Sequence, residues 1–222
     1  MRAVQPEGKK GSLKWIQKAV AKKAAELEIP IVQAIGGDRD LIWKSPVSSD
    51  DYAEYRDGSF LDVLELGFLK SELKEFWPAR GPQWDALGLT SKGDVILVEA
   101  KAHIREMCSP PTQANGESRR KIEAAFDALA KGLGASENRA DWTQHFYQIA
   151  NRLAHLNFLR QRKIPAWLVF ANFIGDDEMK GPASAEAWES AEMIINSVLG
   201  LPKRNRLSRY IIHAYPDVSQ LA

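Results

Sequence analysis

The segments Gly81-Pro82-Gln83-Trp84-Asp85 and Asp94-Val95-Ile96-Leu97-Val98-Glu99-Ala100-Lys101 put an acid at the start of one strand pattern, then an acid and a lysine at the end of the next. Alternate residues of a strand share a face, so Glu99 and Lys101 point the same way. The run Val95-Ile96-Leu97-Val98 has the character of a central strand buried on both faces. Charge at the end of such a strand requires a reason, because burying it unpaired is expensive. Two carboxylates can hold a hard divalent cation such as Mg²⁺. A lysine beside them can position water or offset charge that builds on a phosphate oxygen. The set suits metal-assisted phosphodiester hydrolysis, and the competing reading is a structural ion pair. Asp94 competes with Asp85 for the first carboxylate, but it follows Gly93, where a turn aspartate serves to start a strand. Asp85 is preferred.

Working outward, 222 residues suffice for one sizeable domain with elaborations. The 45% hydrophobic and 27% charged content is that of an ordinary globular protein. No apolar run approaches the length of a membrane span, and residues 1–10 lack the apolar core of a signal peptide. Cys108 is the only cysteine, which excludes an intramolecular disulfide and any Cys/His metal cluster and fits a reducing cytoplasm. The net charge of +1 provides no global attraction for nucleic acid, so such binding must come from local patches. No Walker loop, dinucleotide-binding glycine fingerprint or Gly-x-Ser-x-Gly elbow is present, which removes the ATPase, Rossmann and serine-hydrolase classes.

Leu13, Ile16, Val20, Ala24 and Leu27 predict one amphipathic helix to about residue 28. Residues 31–35 and 41–44 read as short strands, 45–58 as a polar loop with an acidic stretch, and 59–76 as a helix stopped by Pro78. Strands are expected over 82–89 and 94–102, a loop over 108–116, and a helix from Ser118 to the glycines 132 and 134. Asp141 is placed to cap a longer helix with an apolar stripe of Trp142, Phe146, Ile149, Leu153 and Leu156. A strand at 165–174, a helix at 185–199 and a strand at 207–215 complete the chain. The order is that of an α/β fold around a mixed sheet. The expected organisation is a single domain, 1–222, with an N-terminal helix and strand extension (1–58), a core (59–174) and a C-terminal helix and strand (175–222).

On these residues the chain resembles the PD-(D/E)xK nuclease superfamily, with its restriction-endonuclease-like fold, and in segments such as Trp43-Lys44-Ser45-Pro46 and Ala150-Asn151-Arg152-Leu153-Ala154-His155-Leu156 it resembles an uncharacterised bacterial branch of it. Glu99-Ala100-Lys101 matches the second element of that signature. The first is relaxed to Pro82-Gln83-Trp84-Asp85, with the proline displaced, and thirteen residues separate Asp85 from Glu99. The resemblance implies Asp85, Glu99 and the Ala100 carbonyl as ligands of Mg²⁺ or Mn²⁺, and Lys101 as the catalytic lysine. It also implies a nuclease acting on DNA or RNA, DNA first, and commonly a homodimer.

Superfamily members often carry a helix glutamate that reaches the metal. Glu65 and Glu72 both fall on the apolar face of the expected 59–76 helix, and Glu72 is nearer the turn toward Asp85. Related nucleases also place a glutamine on the helix after the Glu-x-Lys strand. Gln148 is the first match and Asn151 the next, in the stripe Gln144, Gln148, Asn151 and His155. Both assignments compete with an ordinary solvated side chain. His103 shares a strand face with Glu99 and more simply closes the strand end; Cys108 reads as an inert loop thiol. Among the basic clusters, Arg119-Arg120-Lys121 follows the Glu-x-Lys strand most closely and is the expected phosphate contact. Two alternatives stand beside the nuclease: a catalytically degenerate module binding nucleic acid or a protein partner, and an α/β domain whose Glu99–Lys101 pair is only structural.

Overall fold

The computed structural model describes residues 1–221. In chain order the elements are β1 (Arg2–Ala3), α1 (Gly11–Ala21), α2 (Ala25–Ala34), β2 (Leu41–Ser45), β3 (Glu54–Tyr55), α3 (Gly58–Val63) and α4 (Lys70–Phe76). They continue with β4 (Ala86–Thr90), β5 (Val95–Lys101), α5 (Gly116–Leu133), α6 (Tyr147–Gln161), β6 (Ala166–Asn172), α7 (Ala185–Val198) and β7 (Ile211–Ala214). The chain is an α/β protein with a mixed five-stranded sheet of order β2-β4-β5-β6-β7, flanked by helices. β4 runs antiparallel to both β2 and β5, while β5, β6 and β7 are parallel. A separate ribbon pairs β1 with β3, Ala3 opposite Glu54.

The two central strands are apolar on both faces because both faces are covered. Val95 and Leu97 pack with α5, α6 and α7; Ile96, Val98 and Ala100 pack with α1 and α2. Glu99 and Lys101 continue the first of these faces. α5 ends at Gly134 in the left-handed conformation (φ 68°), which a glycine adopts without a Cβ clash. Residues Ile149 to Leu159 of α6 are all buried, so this helix has no solvated side. Its polar residues must find partners inside the protein.

Several boundaries differ from those the periodicity predicts. The first helix breaks at Lys23 (φ 48°), and 31–35 is the end of a second helix rather than a strand. The β-branched run there hides a four-residue repeat, Leu27, Ile31 and Ile35, all buried on the sheet, and the helix tolerates Pro30 in its interior. The 59–76 segment is two helices, broken by Glu65 in a left-handed conformation (φ 62°) and a 3-10 turn at Gly67–Leu69. Asp141 caps a local turn, its Oδ1 accepting from the Thr143 amide at 2.8 Å, and the long helix starts only at Tyr147. β2, drawn from within 1–58, pairs with β4 in the central sheet.

Beyond β5 the chain packs closely at Gly181, where an added Cβ would lie 2.2 Å from the Ala102 carbonyl oxygen. Backbone cannot yield as a flexible side chain can, so Gly181→Ala should cost about 1–3 kcal/mol. Urea denaturation of the variant checks this, and an unchanged midpoint would contradict it.

Candidate functional site

Register sets the geometry. Ala86 pairs with Val98, so Asp85 lies one residue further, beside Glu99 on the neighbouring strand, and its amide donates to the Val98 carbonyl at 3.2 Å. The Lys101 carbonyl accepts from Phe173 toward β6, whereas that of Val98 accepts toward β4. Backbone polar groups alternate edges along a strand, so the Ala100 amide and carbonyl face Asp85. The amide donates to Asp85 Oδ2 at 2.7 Å.

Glu99 is fully buried and doubly engaged. One oxygen accepts from the Lys101 ammonium; Oε2 accepts from Arg152 Nε at 2.5 Å. Arg152, on α6, also donates to the Gln83 carbonyl at 2.7 Å and to Asn151 Oδ1 at 2.8 Å, and its guanidinium stacks over Trp84 at 4.9 Å. A third carboxylate enters from the small ribbon. Glu54 is buried, and its Oε2 accepts from Gln83 Nε2 at 2.5 Å and Gln5 Nε2 at 3.1 Å. Glu54, Asp85, Gln83 and Arg152 line a cleft of about 790 Å³ walled by residues 77–83 and 105–115, with Glu99 and Lys101 beneath its floor.

The charges interact strongly. Burial pushes the Asp85 carboxyl up, and Glu99 and Glu54 add to this against the pull of Lys101, so that it titrates at about 8. Burial raises Glu54 too, with its Gln83 hydrogen bond opposing. Burial alone would raise Glu99, but Arg152 and Lys101 outweigh it and hold the carboxylate below its ordinary value. Burial would lower Lys101, yet Glu99 and Asp85 dominate and raise it, so the ammonium stays charged at neutral pH. At neutral pH Lys101 therefore presents a charged ammonium to its neighbours.

Of the residues singled out in the sequence, Asp85, Glu99, the Ala100 backbone and Lys101 come together. Gln148 lines the same cleft, its backbone N–H donating to Ser109 Oγ at 2.9 Å. Glu72 does not join them: it is exposed on α4 and paired with Arg162 at 2.6 Å, because the break at Glu65 turns α4 away from the axis that the continuous helix assumed. The glutamate beside Asp85 is Glu54. Arg119 is spent on Glu123 at 2.6 Å and on the Thr143 hydroxyl, Arg120 is exposed, and Lys121 donates to the Lys74 carbonyl at 3.1 Å. None of the three lines the cleft. Asp94 belongs to the β4–β5 turn, accepting from Thr90 Oγ1 at 2.6 Å and from Arg39.

Among the described residues, no group of three or more His, Cys, Asp or Glu is already gathered as a metal-ligating set. The carboxyls that line the cleft, Asp85 and Glu54, nevertheless offer only oxygens, as a hard cation requires, with the Ala100 carbonyl on the strand edge toward Asp85. A divalent ion there would favour the ionised form of Asp85 that burial, Glu99 and Glu54 disfavour.

Behind the cleft, His155 is 1% exposed and ringed by Phe60, Phe76, Trp77 and Trp84. Its Nδ1 donates to the Asn151 carbonyl at 2.8 Å, and burial depresses it to about 3. Below its ordinary value near 6.5, the unfolded chain takes up a proton that the folded protein refuses. Stability therefore falls as pH drops through the window from about 6.5 to 3, by about 2 kcal/mol at pH 5. His155→Phe should remove that part of the acid sensitivity, and equal pH 7-to-5 losses in parent and variant would refute the assignment.

No protein-family model, curated protein or solved structure matches this chain. Among the described residues, no helix is long and apolar enough to cross a membrane.

Proposed function

We propose that the chain is a Mg²⁺- or Mn²⁺-dependent phosphodiesterase acting on nucleic acid, on a restriction-endonuclease-like version of its mixed α/β sheet. One observation carries the reading. Asp85, Glu99 and Lys101 stand on one face of adjacent strands, at and just beneath the floor of a cleft, as the resemblance to PD-(D/E)xK nucleases implies. The β4-β5-β6 order, two antiparallel strands followed by a parallel one, agrees with it.

Asp85, Glu54 and the Ala100 carbonyl would hold the cation, with Glu99 joining as its grip on Lys101 loosens. The bound cation supplies Lewis acidity and a more acidic water. The protein's own groups do the rest. Arg152 fixes Glu99 from behind. Lys101, kept cationic, holds a water by hydrogen bonding and offsets charge developing on the phosphate oxygens. Gln148, on the cleft wall, presents a neutral amide to the substrate.

The test pairs Mn²⁺ calorimetry with cleavage of mixed DNA and RNA, for the parent and for Asp85→Asn. The parent is expected to bind and cut; the variant should do neither. Without metal, the variant should be more stable by on the order of 1–2 kcal/mol, because a crowded carboxyl is gone. A parent that binds Mn²⁺ no better than the variant would shift the assignment to a degenerate nuclease-fold module. The occupation of Glu99 by two internal cations favours that second reading.

A further inference from the structure

A second groove adjoins the cleft over Asp85 at one shared residue. Arg105, in the 3-10 turn that follows β5, lines the cleft and also lines this groove of about 590 Å³. That groove carries Lys10, His103 and Lys180, with Glu178 the one carboxylate of its lining. Arg80, on the loop leading to β4, lines the cleft itself. Lys10, Arg80, Arg105 and Lys180 are exposed, and none is ion-paired among the described residues. Arg119, Arg139, Arg152 and Arg162 each have a carboxylate instead. Glu106, which also borders the cleft, is committed to the Ala102 amide at 2.7 Å and the Ser12 hydroxyl at 3.4 Å.

The floor of the cleft, Asp85 and Glu54, offers a phosphate carboxyl groups rather than cations. Phosphates reach it only if cations outside the acidic floor hold the chain on either side of the scissile bond. Unpaired lysines and arginines spaced along a groove are the arrangement that follows a phosphate backbone. The cleft has the volume of a small-ligand site, roughly 300–1,000 Å³. Duplex recognition spreads over some 1,000–2,500 Å² of protein surface. A single strand is the form that fits such a recess.

We propose that the cleft and the second groove form one path, joined at Arg105, for an extended single-stranded polynucleotide. The phosphate to be cut lies over Asp85, and the flanking nucleotides run past Arg105 toward Lys10 and Lys180. This rests on the phosphodiesterase reading for what happens over Asp85, but not for the strand's path.

The experiment measures anisotropy of a labelled oligothymidine of about 20 nucleotides, longer than a typical single-strand site, in metal-free buffer over a salt series. The parent is compared with a Lys10→Ala, Arg105→Ala, Lys180→Ala triple variant. The expected loss is about tenfold or more in affinity, with the log–log salt slope reduced by about 2, the value for three lost phosphate contacts on a single strand. A variant that keeps the parent's affinity and slope overturns the path, as does a parent that does not bind the oligomer. A parent that prefers a duplex of equal length overturns the single-strand assignment. In parallel, the parent is offered bis(p-nitrophenyl) phosphate with Mn²⁺, a small diester that needs no groove. Oligomer binding that depends on the three residues, with neither ester nor oligomer cut, upholds the path and overturns the phosphodiesterase.

Discussion

Arg152→Met is expected to cost about 3–5 kcal/mol of stability, the loss that follows when one partner of a buried ion pair is removed. Methionine fills much of the arginine's volume, so packing contributes little to that figure. The damage is electrostatic: Glu99, fully buried, keeps only Lys101, and the Gln83 carbonyl and Asn151 Oδ1 lose their donors. The stacking of the guanidinium on Trp84 goes as well. Adding Glu99→Leu should not return the loss, because the buried Lys101 ammonium then loses its own carboxylate partner. Urea denaturation of the single and double variants measures both. A loss below about 1 kcal/mol for Arg152→Met would mean that Glu99 draws its compensation from elsewhere.

Lys101→Met should lower metal-dependent cleavage about 10²–10³-fold, the usual effect of removing one donor from a site of developing charge. Mn²⁺ affinity should change far less, since the ammonium is not a ligand and its removal eases repulsion toward the ion. The fold should survive better than in the Arg152 variant, because Arg152 still holds Oε2 of Glu99. Because Asp85 and Glu99 keep Lys101 charged, the cleavage rate should show no rising limb attributable to lysine deprotonation across neutral pH. Cleavage at the parent's rate would remove Lys101 from the chemistry altogether.

How much of this could be read in the sequence depended on how local the cause was. The 95–101 strand and its partner at 166–172 were legible because burial on both faces leaves an unbroken apolar run. The shared face of Glu99 and Lys101 follows from strand geometry alone. The continuous 59–76 helix was not refuted by its periodicity, since a break at a single residue, Glu65, leaves the spacing on either side intact. Arg152 had a signal: it lies three residues after Ile149 and four before Leu156, on the apolar side of α6, where a charge needs a buried partner. Glu54 had none. Its acidic neighbourhood, 50–57, has the composition of a solvated loop, and its burial follows from pairing with Arg2–Ala3 some fifty residues away.

The cluster draws on segments near residues 54, 84, 100 and 152, and its buried charges are partnered across those segments. No partly folded form can hold the site in advance: until α6 docks, Glu99 lacks Arg152 and must remain in water. Such long-range closure comes late in folding. The burial of Glu99 during refolding would therefore mark the docking of α6, and would serve as a clock for that step.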